Sequence, residues 1–195
     1  MTWTIRRLGL ADMAAYRAIR HEALANHPEA FVSSAEGFAQ KSDDEVRQML
    51  ETLTVFGAVL PDGSLGGINA FLSHDGSKER HRGWMIQVYV RPDQRGTGMA
   101  AALVEHLIAH ASRHVKQVHL GVWSENLPAL KLYQRLGFET YGTEPRYLFV
   151  NGRYVDEHLM VRFLDREPVQ QQGTNEIRRP QRRDASAPVG GAQGK

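Results

Sequence analysis

The stretch VYVRPDQRGTGMAAALVEHL, Val88 to Leu107, constrains the fold more than any other part of the chain. It opens with the alternation of a strand and closes with the spacing of a helix, whose buried stripe is Leu103, Val104, Leu107, Ile108 and Ala111. Gly96, Gly98 and Ala100 stand where one becomes the other. A strand that feeds a helix this way requires a crossover to its next strand, which the hairpin-like segments elsewhere do not need.

The rest of the chain fits around that junction. Trp3 to Leu8 alternates as a first strand, and Met13, Tyr16, Ile19, Ala23 and Leu24 recur at helical spacing from an Asp12 N-cap to the stop at His27-Pro28. EAFVSSAEGFAQKS reads as a loop or short helix, and Ser42 with Glu45 three residues later starts a further helix with a capping box. LTVFGAVL and GGINAFLSH flank the turn PDGS as an antiparallel hairpin, with Gly66-Gly67 assigned to it. WMIQVYVRP and VKQVHLGVW are strands on either side of the glycine-rich helix, LPALKLYQRLGF is a short helix, and FETYGT, YLFV and YVDEHLMVRFL are strand-like. This order predicts an α/β (α+β) domain: a mixed, mostly antiparallel twisted sheet of about six or seven strands with about four helices.

Charge separates this domain from a tail. Residues 165–195 hold six Lys/Arg and four Asp/Glu, which leaves 18 of each sign among residues 1–164. The net +2 therefore belongs to a segment rich in Gln, Gly, Pro and Arg that cannot bury enough surface to fold alone. The expected organisation is one domain over 1–164 and a disordered, solvated basic tail over 165–195, with nucleic-acid binding through RRPQRR the lesser reading. With no apolar run of membrane-spanning length, no secretory-type leader and no Cys, the expectation is a cytoplasmic protein without membrane, disulfide or thiolate chemistry.

Three nucleotide-binding junctions resemble this one. A Walker A loop needs Lys-Ser or Lys-Thr after its last glycine, and Met99-Ala100 stands there instead. Gly96-Thr97-Gly98-Met99-Ala100-Ala101 satisfies the dinucleotide pattern G-x-G-x-x-A, and Glu125 is an acid on a following strand. Against that reading, Arg91 to Arg95 separate the strand from the first glycine, and the junction lies mid-chain after two helices and a hairpin. In the third reading, successive backbone N–H groups of RGTGMA converge on a pyrophosphate at a helix N-terminus, where the dipole adds positive charge.

The third reading resembles the GNAT superfamily of N-acetyltransferases. Arg95, Gly98 and Ala100 match its acetyl-CoA signature, and the strand Val88-Tyr89-Val90-Arg91-Pro92 matches the segment that precedes it. An independent second motif, SENLPALKLYQRLGF, supplies Asn126, Ala129, Leu132, Tyr133, Gly137 and Phe138 in the family's order. The resemblance spans about Trp3 to Leu164 and leaves the tail outside it. It implies a splayed central strand pair and acetyl-CoA as co-substrate, with no metal.

The same resemblance implies roles for individual residues. Val88, Tyr89 and Val90 would hold the pantetheine arm through their main chain, and Arg95, Gly96, Thr97, Gly98, Met99 and Ala100 would cradle the pyrophosphate. Asn126 would bond the pantetheine side or secure the strand end, Ala129 would join the cofactor site, a backbone N–H near Val88 would polarise the thioester carbonyl, and Tyr133 would donate a hydrogen bond or proton to the departing thiolate. Many family members carry a Glu base on the strand before the glycines, but WMIQVYV has none. A water relay, Glu125, Glu36, His74 and His119 remain open for that task. By position, Phe31, Ser33, Ser34, Asn69, Gln87 and Tyr147 are acceptor-pocket candidates.

Other signals receive ordinary readings. His106, His110 and His114 recur on one helical face, but they flank the apolar stripe and no carboxylate completes a metal set. Trp3, Trp84 and Trp123 read as core or rim aromatics. The expected activity is acetyl transfer to a primary amine of a small molecule, peptide or protein, with a homodimer left open. The alternative from another class is a CoA-binding sensor without turnover.

Overall fold

The computed structural model describes residues 2–165; the tail expected over 165–195 lies outside the described residues from residue 166 onward. Seven strands form one sheet in the order β1-β2-β3-β4-β5-β7-β6. They are β1 (Thr4–Arg7), β2 (Thr54–Val59), β3 (Leu65–Ser73), β4 (Arg82–Val90), β5 (Gln117–Trp123), β6 (Glu139–Val150) and β7 (Arg153–Phe163). Every neighbouring pair is antiparallel except β4 with β5, which the helical crossover makes parallel. The helices are α1 (Met13–Asn26), α2 (Ala35–Ala39), α3 (Asp43–Thr52), α4 (Met99–Ala111) and α5 (Leu127–Arg135).

Period-2 alternation sends successive strand residues to two cores. Val55 and Ile68 join Tyr16, Ile19, Leu24, Val46 and Leu50 beneath α1 and α3. Phe56 and Phe71 join Leu103, Val104 and Leu107 beneath α4 on the other face. The capping box of α3 forms as expected: Ser42 Oγ accepts from Glu45 N at 3.2 Å and Glu45 accepts from Ser42 N at 2.8 Å. Asp12 is the N-cap of α1 by position only, because its carboxylate is bonded to Arg6 at 2.7 Å and to Gly9 N at 2.9 Å.

One expectation is corrected. Gly66 and Gly67 lie within β3, where a Cβ would meet Met99 and Leu103 of α4, so they set helix–sheet approach; Gly63, at φ 84°, makes the hairpin turn. EAFVSSAEGFAQKS takes the second of its two expected forms, a short helix, α2, whose N-cap is Ser34. FETYGT and YLFV are parts of the single strand β6, whose register against β7 is interrupted between Glu144 and Leu148, where Arg146 has φ 56°. Asn151 and Gly152, at φ 49° and 76°, close the β6–β7 hairpin as the residues of a type I′ turn.

The sheet opens at its centre. β4 and β5 pair only at Arg82–Gln117, Gly83–Val118 and Trp84–His119, and beyond these the strands part. On its other side β4 carries a bulge: Ile68 faces Tyr89 and Ala70 faces Ile86, so Gln87 and Val88 together oppose Asn69. Gln87 has φ 58° there, a left-handed conformation unusual for a residue with a side chain.

Candidate active site

The parting of β4 and β5 forms a cleft of about 1080 Å³, lined by Met85 to Val90 on one wall and Leu120 to Trp123 on the other. Its floor near α4 is the glycine junction. Pro92–Gln94 form one 3-10 turn that carries the chain away from the strand, after which Gly96 and Gly98 take φ 76° and 86°. Those left-handed conformations explain why glycine is needed at both positions. A Cβ on either would meet no protein atom within 4 Å, so the space above both is open to a ligand.

Gly98 is the N-cap of α4, whose first-turn N–H groups have no partner within the helix. Together with the helix dipole they make this end of the cleft suited to an anion. The Arg95 side chain folds back, with Nε donating to Val90 O at 3.2 Å and Nη2 lying 2.9 Å from His27 Nε2. A pyrophosphate fits this open, amide-lined loop, and an extended arm fits the gap between strands.

Tyr133 enters from α5. Asn126 starts that helix, its side chain accepting from Ala129 N at 3.2 Å, and Gly137 at φ 80° ends it. Tyr133 is buried against the Phe138 ring, with centroids 5.9 Å apart, and lines the cleft. Burial pushes its phenol well above the ordinary tyrosine range. Among the described residues no side chain bonds its hydroxyl, so the proton is retained at neutral pH and free to donate.

The cleft brings together Val88, Tyr89, Val90, Arg95, Gly96, Gly98, Met99, Ala100, Asn126, Ala129 and Tyr133. Thr97 does not join them: its hydroxyl donates to Gln94 O at 2.7 Å, bracing the turn. Phe31, Ser33, Gln87 and Tyr147 line the cleft, whereas Ser34 and Asn69 do not. Ser34 Oγ is occupied by Gly37 N at 3.0 Å, and fully buried Asn69 donates to the Leu103 carbonyl at 2.8 Å. Gln87 Oε1 accepts from Tyr16 Oη at 2.9 Å, which ties the bulge to α1.

Of the open base candidates, Glu125 lines the cleft and Glu36, His74 and His119 do not. His119 is buried between Trp84 and Tyr141. The sequence reading missed Glu157, on β7 opposite Trp123 of β5. Its carboxylate projects over Gly121 into the cleft, and burial, reinforced by Glu144, pushes it up to about 7. A glycine inside a strand was the available signal, since it marks close approach by a neighbour.

It also missed Arg20, whose guanidinium faces the cleft from α1. Arg20 lies four residues after Tyr16 on the same helical stripe, so periodicity alone puts it on the buried face. His106 and His110 pack edge-on against Phe56, and His110 also meets Phe71.

Comparison with known proteins supplies the wider frame. Residues 16–138 match the model of a family described as the acetyltransferase (GNAT) family. An L-methionine sulfoximine/L-methionine sulfone acetyltransferase of Pseudomonas aeruginosa is 31% identical over 172 residues, covering 85% of this chain and 96% of the relative. An L-amino acid N-acetyltransferase of Escherichia coli is 32% identical over 101 residues, covering 50% of this chain and 62% of the relative. The acetyltransferase yncA from Salmonella typhimurium, solved with acetyl-CoA, superposes with a TM-score of 0.74 at 25% identity, covering 86% of this chain and 96% of that one.

Proposed function

Because the chain belongs to the acetyltransferase (GNAT) family and is an N-acetyltransferase that uses acetyl-CoA to acetylate a small amine, we propose that Glu157 and Tyr133 perform its two proton transfers. Val88 to Val90, which line the gap beside the bulge, hold the pantetheine arm by their main chain. Arg95, Gly96, Gly98, Met99 and Ala100 hold the pyrophosphate. Residues 1–164 make up the acetyltransferase domain.

When bound, acetyl-CoA supplies a thioester whose carbonyl carbon bonds the acceptor nitrogen as its carbon–sulfur bond breaks. Glu157 first takes one proton from the acceptor ammonium, a task for which a carboxylate titrating near neutrality is suited. Tyr133 gives its proton to the departing sulfur and regains one from the acetylated nitrogen. The amide at Val88 stabilises charge on the carbonyl oxygen. The proton on Glu157 then passes to water, and the overall yield is one amide, one thiol and one proton.

The observation that carries this reading is the raised carboxylate of Glu157 in the same cleft as the glycine cradle and Tyr133. Thiol release from acetyl-CoA, followed over a panel of small amines, tests it. Turnover that falls by about 10²- to 10⁴-fold in Glu157→Gln, with acetyl-CoA affinity kept, supports the base assignment. Saturable acetyl-CoA binding without thiol release on any amine would return the protein to a sensor.

A further inference from the structure

We propose that Arg20 recognises an anionic group on the acceptor, and that the acceptor is therefore an amine that also bears a carboxylate. The side chain is 5% exposed, on the third turn of α1, and it lines the cleft into which Glu157 projects. Its Nε and Nη1 are buried with no hydrogen-bond partner, and among the described residues no carboxylate pairs with it. The guanidinium lies over the Phe31 ring, 4.6 Å from its centroid, with Tyr16 near it on the same helix.

A buried cation without a counter-ion is costly, and an apolar side chain of similar volume would pack there at less expense. Burial lowers the Arg20 pKa to about 10, which still leaves the group charged at neutral pH. The fold thus holds a desolvated guanidinium at a cavity wall, with two of its nitrogens buried and unpaired. The other cations of the cleft are differently placed: Arg95 is tied to Val90 O and His27, and Arg135 stands on α5.

A guanidinium matches a carboxylate through two parallel N–H···O bonds, a geometry that an ammonium or neutral group does not offer. An α-amino acid presents both complementary charges within one small molecule. Its carboxylate pairs with Arg20 while its ammonium is presented to Glu157. Phe31, whose ring lies 4.6 Å from the guanidinium carbon, covers one side of the group. Glu29 and Glu125 also line the cleft, but neither is paired with Arg20. A polyamine, which brings several positive charges and no anion, would leave Arg20 unpaired and add repulsion.

This assignment rests on the acetyl-transfer reading of the cleft, and one set of assays separates the two. Thiol release is measured with L-amino acids including L-methionine sulfone, with the methyl ester of each, and with spermidine. The native protein is expected to prefer the free acid over its ester by about 10- to 100-fold in kcat/KM, the range for a hydrogen-bonded charge pair. Arg20→Gln and Arg20→Met should lose that preference through the acid alone, leaving the ester rate and the acetyl-CoA Kd near native values. Arg20→Lys, which keeps the charge without the fork, should retain part of the preference.

An arginine that only supports the fold would lower acid and ester rates together, and that result overturns the assignment. Equal native rates on acid and ester, or a preference for spermidine, overturn it without touching acetyl transfer, and they do so even if the variants fail to fold. Acetyl-CoA binding with no turnover on any amine overturns both readings.

Discussion

Gly121 and Glu157 share one volume: a Cβ built on Gly121 would collide with the carboxylate carbon and both oxygens of Glu157. The absence of a side chain on β5 is thus what lets a carboxylate from β7 reach over its neighbour into the cleft. Gly121→Ala is expected to displace Glu157 and lower kcat by at least about tenfold, while acetyl-CoA affinity stays near native. Thiol-release kinetics beside calorimetric titration of acetyl-CoA checks both halves.

The raised pKa of Glu157 sets a pH profile. With the carboxylate titrating at about 7, kcat/KM should rise through neutrality and level off above it. Glu157→Gln should remove that limb along with most of the rate. The same shift acts on stability with the opposite sense. A carboxyl raised in the folded state contributes stability below its unfolded value of 4.5, and that contribution disappears as pH rises through about 7. The melting temperature of Glu157→Gln should therefore gain on the native protein between pH 5 and 8. A flat difference would show that the carboxylate is not desolvated.

Tyr133→Phe keeps the ring on Phe138 and removes only the hydroxyl. Turnover should fall by about 10²-fold with acetyl-CoA Kd unchanged. The loss should be smaller when the thioester carries a more acidic thiol, because a better leaving group needs the proton less. Unchanged turnover would take the residue out of the reaction.

Gly98 is held at φ 86°, so Gly98→Val is expected to cost about 1–2 kcal/mol of stability from backbone strain. Its new side chain would also fill the open space above the loop. Acetyl-CoA affinity should drop by about tenfold or more, the equivalent of one charge-assisted hydrogen bond. Thermal melts with and without acetyl-CoA separate the two effects.

His119 gives a second pH signature, away from the reaction. Burial, with Arg82 and nearby histidines, holds its pKa below 6.5, and its Nδ1 has no partner. The lowered pKa contributes stability above 6.5 that is lost as pH falls through the folded value. Melting temperature should decline on acidification, and less steeply in His119→Phe, which keeps an aromatic ring between Trp84 and Tyr141.

The order of strands and helices, the crossover at the glycines and the Asn126–Phe138 motif were legible because each rests on local spacing. Gly96 and Gly98 carry their conformation in their own residue type, and the Ser42–Glu45 box spans a single turn. What local spacing cannot carry is which strands become neighbours. Glu157 reaches the cleft only because β7 pairs beside β5, a contact between residues more than 30 positions apart. Ser34 and Asn69 had the right positions in the chain, but a helix cap and a bond to the Leu103 carbonyl had already engaged their polar atoms.

The three pairs that join β4 to β5 have a consequence beyond catalysis. Past Trp84 and His119 the two strands present bare backbone donors and acceptors to one another across the gap, and such rims recruit any extended chain that can reach them. Here both rims face into the cleft, whose walls leave room for a narrow extended ligand rather than for a whole foreign strand. The molecule thus keeps two adhesive borders harmless by turning them toward each other. A variant that pries them farther apart would trade a lost reaction for a protein that sticks to itself.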